Sequence, residues 1–269
     1  MISEEQRATF RDRGVLRLPG LVPDEVAQAA RDAVHRHLQG RGIRCDGRWR
    51  PEAFPAVQPY ESSLSFVKAL KKSRRVAAVV GAEILGVIDA LLDEPASAMA
   101  DHPQLLFTFP NASRWTVPPN VWHLDLPRYG GAAPSGVQIF TFLDSVAPAG
   151  GGTLALAGSH RFLNDRGHLK SAQVKKALRR EVPYFRDLMG GETEDRLRFL
   201  RRAERHGEIE LQVVEMYGEP GDVYFMDLRA LHTLAPNTAS IPRIMLTQRF
   251  LVDALRDEVY SLPAAGAVC

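Results

Sequence analysis

Trp122-His123-Leu124-Asp125-Leu126 sets an imidazole and a carboxylate two residues apart. In extended backbone alternate side chains point to one face, so His123 and Asp125 form a ready pair of metal ligands. A second imidazole, His232, follows a strand-like run by a short turn, and opposite strands of a small barrel can bring it beside the first pair. Two histidines and one carboxylate leave three coordination positions open, which suits an oxygen-activating non-haem Fe(II) centre. A 2-oxo acid takes two such positions and O₂ the third. His-x-Asp alone is a short pattern that arises by chance, and exposed His and Asp are ordinary surface residues. Arg243 adds to it, lying eleven residues after His232, across a Pro242 turn and at the start of a strand. An interior guanidinium needs an anion, and the far carboxylate of 2-oxoglutarate matches its bidentate fork.

The elements that must position these groups change period along the chain. Ser3-Glu-Glu-Gln6 has the form of a capping box and starts a helix. Val26, Ala29, Ala30, Ala33, Val34 and Leu38 fall at helical spacing until Gly40 and Gly42. Residues 43–63, with Pro51, Pro55 and Pro59, read as a long loop. Ser73 reads as the N-cap of one long helix whose stripe runs through Val76, Val79, Val80, Ile84, Val87, Ile88 and Leu91. From about residue 104 the period becomes two. Gln104–Phe109, Gly136–Leu143, Thr153–Ala157, Glu208–Met216, Asp222–Met226 and Arg243–Val252 read as strands, with turns at Pro148–Gly152 and Gly218–Gly221 between some of them. The pattern is mainly β with flanking helices, an antiparallel barrel or double sheet. Residues 161–207 interrupt it as a helix-prone insertion in one loop.

Composition narrows the class. The 269 residues are 45% hydrophobic, enough for one sizeable core, and the formal charge of +2 calls for neither nucleic acid nor an anionic membrane. Cys45 and Cys269 are too few for a disulfide scaffold or a thiolate zinc site, so a metal here binds through nitrogen and oxygen. With no apolar run long enough to span a bilayer, the expectation is a cytoplasmic protein.

These motifs resemble the phytanoyl-CoA dioxygenase family of Fe(II)/2-oxoglutarate oxygenases. The likeness rests on His123-x-Asp125, on Gly150-Gly-Gly-Thr-Leu-Ala-Leu-Ala-Gly-Ser-His-Arg161, and on Gly221-Asp-Val-Tyr-Phe…His232…Pro236-Asn-Thr238…Pro242-Arg243. It covers about 104–252, with the N-terminal helices similar only in kind. It implies a double-stranded β-helix, a jelly-roll and cupin-like core. Residues 1–269 then read as one domain, with 1–100 mostly helical support and 104–252 the core carrying the 161–207 insert. The resemblance also implies His123, Asp125 and His232 as iron ligands, Arg243 as the 2-oxoglutarate anchor, and O₂ as co-substrate. A small-molecule substrate, natural-product or carrier-linked compounds included, would most simply be hydroxylated with release of succinate and CO₂. Asp125 argues against halogenation, because related halogenases lack that carboxylate. Desaturation, epoxidation, ring formation and epimerisation stay open.

Many family members carry Ser two residues after the distal His, where this chain has Leu234. A second hydroxyl contact to the co-substrate must then come from Thr108, Thr141 or Thr153, with Thr108 preferred, and the family pattern puts Phe140 or its neighbours at the co-substrate pocket. The bland readings are a structural hydrogen-bonding role for His160, solvated helical positions for His35, His37 and His206, no pattern at His102 or His168, and a tight turn at Gly150–Gly152. Two rival functions remain: a cupin-like metalloenzyme that does not use 2-oxoglutarate, with Arg243 a structural ion-pair partner, and a catalytically silent 2-oxoglutarate-binding sensor. The 161–207 insert holds 13 Lys and Arg against 7 Asp and Glu. It reads either as solvated helices or as a lid whose Arg179, Arg180, Arg201 and Arg202 attract an anionic group.

Overall fold

At the N-terminus the capping box forms: the Gln6 amide donates to Ser3 Oγ and the Ser3 amide to Gln6 Oε1, at 3.2 and 2.8 Å. The computed structural model describes residues 2–58 and 65–261. In chain order the elements are α1 (Glu4–Arg13), β1 (Val15–Leu18), α2 (Asp24–Gly40), β2 (Arg44–Cys45), β3 (Arg48–Trp49), α3 (Arg74–Ala77), α4 (Ala82–Leu92), β4 (Ala96–Ala98), β5 (Gln104–Thr108) and β6 (Gly136–Phe142). Then follow β7 (Thr153–Ala157), α5 (Ser171–Glu181), α6 (Pro183–Met189), α7 (Arg198–Arg201), β8 (Glu204–His206), β9 (Ile209–Glu215), β10 (Val223–Asp227), β11 (His232–Leu234), β12 (Arg243–Val252) and α8 (Arg256–Ser261).

Two antiparallel sheets face one another. One is ordered β1-β10-β6-β12-β4, with β5 also pairing β12, and the other β11-β7-β9-β8. Alternation along each strand sorts side chains into three apolar layers. Val137 and Ile139 of β6, Val223 and Phe225 of β10, and Ile244 and Leu246 of β12 point outward and pack under α2, α3 and α4. Phe140, Phe142, Tyr224, Met226 and Met245 point inward and meet Ala155 and Met216 of the facing sheet. Leu154, Leu156, Leu211 and Val213 cover the far side of the smaller sheet, packed against Val174, Leu178, Phe185 and Phe199 of the insert. Both faces of both sheets are therefore covered, and all seven residues of β6 are buried. The insert is a packed layer that shares a core with the smaller sheet. Among the described residues no helix is long and apolar enough to cross a membrane.

Several sequence expectations change. The single helix from Ser73 is broken into α3 and α4, because Gly81 takes extended backbone (φ −97°, ψ −169°) and restarts the helix; Ser73 makes no side-chain cap bond. The stripe survives the break, with Val76, Val79, Ile84, Val87, Ile88 and Leu91 all buried. The loop expected over 43–63 contains the hairpin β2–β3, turned by Asp46 and Gly47 at φ 48° and 77°, the paired positive values a two-residue turn requires. Its residues 59–63 lie outside the described residues. His206 sits on strand β8 rather than on a helix, and His35 is no solvated group, since its Nε2 lies 2.8 Å from Asp144 Oδ2.

Candidate metal centre and anion pocket

His123 and His232 meet through their backbones before their side chains are considered. Each donates its amide to the other's carbonyl, at 3.0 and 3.1 Å, in an antiparallel bridge that fixes the rings with centroids 4.5 Å apart. Each Nδ1 faces a carbonyl two residues earlier, His123 that of Val121 at 3.0 Å and His232 that of Ala230 at 3.3 Å. A carbonyl only accepts, so Nδ1 carries the proton on both rings and Nε2 keeps its lone pair. Those two lone pairs point at Asp125. His123 Nε2 lies 3.5 Å from Oδ1 and His232 Nε2 3.4 Å from Oδ2, and the three ligand atoms fall within 4.8 Å of one another.

Those separations are long for hydrogen bonds and suit donors arranged around one small ion. Burial works against the Asp125 carboxylate, but His123, His232 and Arg249 outweigh it and hold its pKa well below the usual carboxylate range. Burial likewise opposes a charged His123, and the Asp125 carboxylate and Val121 carbonyl more than offset it, leaving its pKa raised. A doubly imidazole-faced carboxylate that stays anionic is the donor set a borderline divalent metal takes.

The three ligands line a cavity of about 190 Å³ between the sheets. Gln138 and Phe140 of β6, Thr247 and Arg249 of β12, and Thr153 of β7 add to its wall. Arg249 is the residue that sequence reading missed. Its Nε and Nη2 both donate to Asp125 Oδ2, the former at 2.8 Å, so this oxygen is saturated and Oδ1 is left free. The signal was present in β12: Arg243, Met245, Thr247 and Arg249 alternate onto one face.

Arg243 occupies the start of that face and is 1% exposed. Its Nε donates to the Gly151 carbonyl at 2.9 Å and its Nη2 to Thr108 Oγ1, its cross-strand partner in β5, while Nη1 has no partner among the described residues. Burial alone pushes the guanidinium pKa down to about 9. The glycine turn is specific here: Gly151 stands at φ 81°, and a Cβ on it would come 2.7 Å from Asn237 Cβ. Asn237 in turn donates to the Thr108 carbonyl at 2.8 Å and ties β5 to the same corner. An orphaned donor on a buried, unpaired cation is what a carboxylate would complete.

The remaining hydroxyl candidates separate by face. Thr141 is paired with Val223 and Leu246, both in the helix-covered layer, so the structure sets it on the opposite face of β6 from the cavity and does not bring it to the site. Thr153 lines the cavity, stands directly across from Leu234 in the β7–β11 pairing, and carries an Oγ1 without a partner among the described residues. Phe140 borders His232, with ring centroids 6.4 Å apart. His160 is buried, its Nε2 2.9 Å from the Arg11 carbonyl, outside the cavity lining. Of the four arginines expected to attract an anion, Arg179 and Arg180 line a basic groove between α5 and α6, whereas Arg201 and Arg202 do not.

Comparisons with known proteins follow the same lines. The family described as phytanoyl-CoA dioxygenase matches residues 10–245. A search of curated proteins finds no match to the sequence. Among solved structures, a non-heme alpha ketoglutarate dependent carbocyclase, SnoK, from nogalamycin biosynthesis superposes with a TM-score of 0.61 at 17% identity, over 93% of this chain and 84% of that one. HygX from Streptomyces hygroscopicus, solved with nickel and 2-oxoglutarate bound, gives 0.53 at 14% identity, over 94% and 88%. EvdO2 from Micromonospora carbonacea var. aurantiaca, complexed with 2-oxoglutarate, gives 0.53 at 18% identity, over 94% and 91%. At these identities the likeness is one of fold, the jelly-roll.

Proposed function

This chain belongs to the phytanoyl-CoA dioxygenase family, and from that premise we propose that it is an Fe(II)- and 2-oxoglutarate-dependent oxygenase that hydroxylates a small molecule. One observation carries the reading: three possible metal-ligand atoms lie within 4.8 Å of one another in a cavity walled in part by β12, and the same face of β12 starts with a buried guanidinium whose Nη1 has no partner among the described residues. Two imidazoles with a carboxylate, and a buried guanidinium with one donor to spare, support both halves of the requirement, a metal site with open positions and a carboxylate anchor.

His123, Asp125 and His232 are the residues that would hold the iron, and Arg243 the one that would receive the far carboxylate of 2-oxoglutarate. When bound, iron and 2-oxoglutarate with O₂ supply an oxidant for a substrate C–H bond, releasing succinate and CO₂. The protein contributes orientation and exclusion of water. The Val121 and Ala230 carbonyls fix the imidazole tautomers. Arg249 takes one oxygen of Asp125 and so presents the other as a single donor. Thr108 and the Gly151 carbonyl aim the Arg243 fork. Thr153, facing Leu234, offers the hydroxyl that the residue after next from His232 does not. Leu106 and Phe140 give the cavity apolar wall that keeps bulk water from the reacting centre. Carboxylate ligation by Asp125 leaves no place for a halide, which favours oxygen transfer over halogen transfer. The similar carbocyclase supports the view that this fold acts on small natural-product scaffolds.

The test is succinate formation from 2-oxoglutarate by the Fe(II)-loaded protein across a panel of small molecules, beside the Asp125→Ala variant checked for an intact fold by circular dichroism. The parent should release succinate and the variant should neither bind Fe(II) nor turn over. Turnover undiminished in Asp125→Ala, or an Fe(II)-loaded parent that fails to bind 2-oxoglutarate, overturns the assignment.

A further inference from the structure

The groove between α5 and α6 is a separate concavity of about 480 Å³, a size that holds a small molecule. Its charged lining is Lys175, Lys176, Arg179, Arg180 and Arg186, with no carboxylate among the lining residues. Arg180 is spoken for by Glu181 at 2.6 Å. The other four have no ion pair among the described residues, because the acidic groups nearest in sequence are used elsewhere: Glu181 also binds Arg166, and Asp187 binds Arg198. Residues 172, 175, 176 and 179 share one helical face of α5, and Val174 and Leu178 on the other face are buried in the insert core. Like charges one turn apart repel, so the ligand-free protein is destabilised by holding them together.

The groove adjoins the metal centre. Asn120, which lines it, precedes His123 by three residues. Ser171, the first residue of α5, accepts a hydrogen bond through Oγ from the Leu124 amide at 3.0 Å, between His123 and Asp125. Lys175 follows one turn later on α5 and lines the groove. A ligand held by α5 and α6 therefore lies beside the 120–124 segment that leads into His123 and Asp125.

From this arrangement we propose that the groove binds a phosphate-bearing group of the substrate, a phosphate ester or diphosphate, and that this anion directs the attached carbon skeleton toward the metal centre. The proposal rests on the reading of His123, Asp125 and His232 as the reaction centre. The multiplicity of cations decides the class. One guanidinium suffices for a carboxylate, whereas four unpaired cations match the double or higher charge and several oxygens of phosphate groups. None of the lining residues is aromatic, so the groove has no platform for stacking a base and recognises the charge itself.

The experiment uses the full-length protein without metal or co-substrate and inorganic pyrophosphate as the probe, titrated calorimetrically at low and high salt. Parent protein should bind pyrophosphate saturably and more weakly as salt rises. The combined variant Lys176→Gln, Arg179→Gln, Arg186→Gln, all exposed positions, should lose about tenfold or more in affinity, as expected when several charge-assisted contacts go. It should also melt no earlier than the parent in the absence of anion, since it removes repulsion. Arg201→Gln, Arg202→Gln, which removes two insert charges outside the groove, should bind as the parent does. Absence of saturable binding by the parent, equal affinity in the triple variant, or an equal loss in the Arg201, Arg202 control overturns the proposal. Because no metal or 2-oxoglutarate is present, failure of the oxygenase reading would leave this binding result unchanged, and a failed titration would leave the metal assignment standing.

Discussion

Replacing Arg243 by Met should separate anchoring from folding. The guanidinium is 1% exposed, and burial lowers its pKa from 12.5 to about 9. That fall corresponds to roughly 5 kcal/mol of lost hydration, at about 1.4 kcal/mol for each tenfold change in the proton equilibrium. Its hydrogen bonds to the Gly151 carbonyl and Thr108 Oγ1 return about 1.5–3 kcal/mol each, as bonds to a charged donor do. The sum is near zero, so the ligand-free protein gains little from this charge. Arg243→Met, similar in length and without charge, should then unfold within about 4 °C of the parent, given ~2–4 °C per kcal/mol for a chain of this size. With Ni(II) in the metal site and 2-oxoglutarate at about a hundred times its dissociation constant, the parent should gain ~2.7 kcal/mol, or about 5–10 °C. The variant should gain almost nothing. Thermal unfolding followed by circular dichroism, with and without 2-oxoglutarate, reads both quantities. An undiminished ligand shift in Arg243→Met, or a ligand-free protein destabilised by more than about 3 kcal/mol, the cost of breaking a buried ion pair, would refute the reasoning.

Three further outcomes are expected. Arg249→Gln should weaken Fe(II) or Ni(II) binding by about tenfold, as loss of a partner that orients a metal ligand does; tighter binding in a competition assay would mean that Arg249 competes with the metal for Asp125. Thr153→Val should weaken 2-oxoglutarate binding by about 1 kcal/mol with little change in stability, because its hydroxyl has no partner to lose; calorimetric affinity equal to the parent would remove Thr153 from the co-substrate site. Glu215 is held at a pKa of about 7 by burial, above its ordinary value of 4.5. The folded state therefore binds the extra proton between those values, so stability falls as pH rises from about 4.5 to about 7 and levels off above. Glu215→Gln keeps an acceptor for the Ala149 amide and should flatten that slope, gaining on the order of 1–2 kcal/mol at pH 8; denaturant unfolding with an unchanged pH slope would show that Glu215 ionises freely.

The sequence was most readable where side-chain type and period agree. His123 and His232 lie together through an antiparallel bridge and Arg243 starts an inward-facing strand, as their pattern suggested, whereas Asp125 sits in a bend just after His123; β7 and β12 begin and end at the residues expected. Short strands were harder. Val15–Leu18 and Ala96–Ala98 are too brief to show a period, and His232–Leu234 is a strand only because it pairs with β7. The break at Gly81 was hidden because the apolar stripe continues across it. The preference for Thr108 over Thr153 could not draw on cross-strand register, which turns the Thr108 hydroxyl onto the Arg243 guanidinium and leaves the Thr153 hydroxyl without a partner among the described residues. The groove needed the pairing of Glu181 and Asp187 with other arginines before its net charge could be located.

Strand β12 carries Arg243 at one end and Arg249 near the other, six positions apart on the same face, with Ile244, Leu246 and Phe250 on the reverse. A slip of one residue in its pairing with β6 would turn both cations into the apolar layer under α2 and α4 and bring those hydrocarbons into the cavity. Two stranded guanidiniums in hydrocarbon cost far more than the hydrophobic contacts such a slip could recover. The two guanidiniums thus also act as an alignment check on the central strand, and a change that neutralised both would remove a penalty against the misregistered sheet.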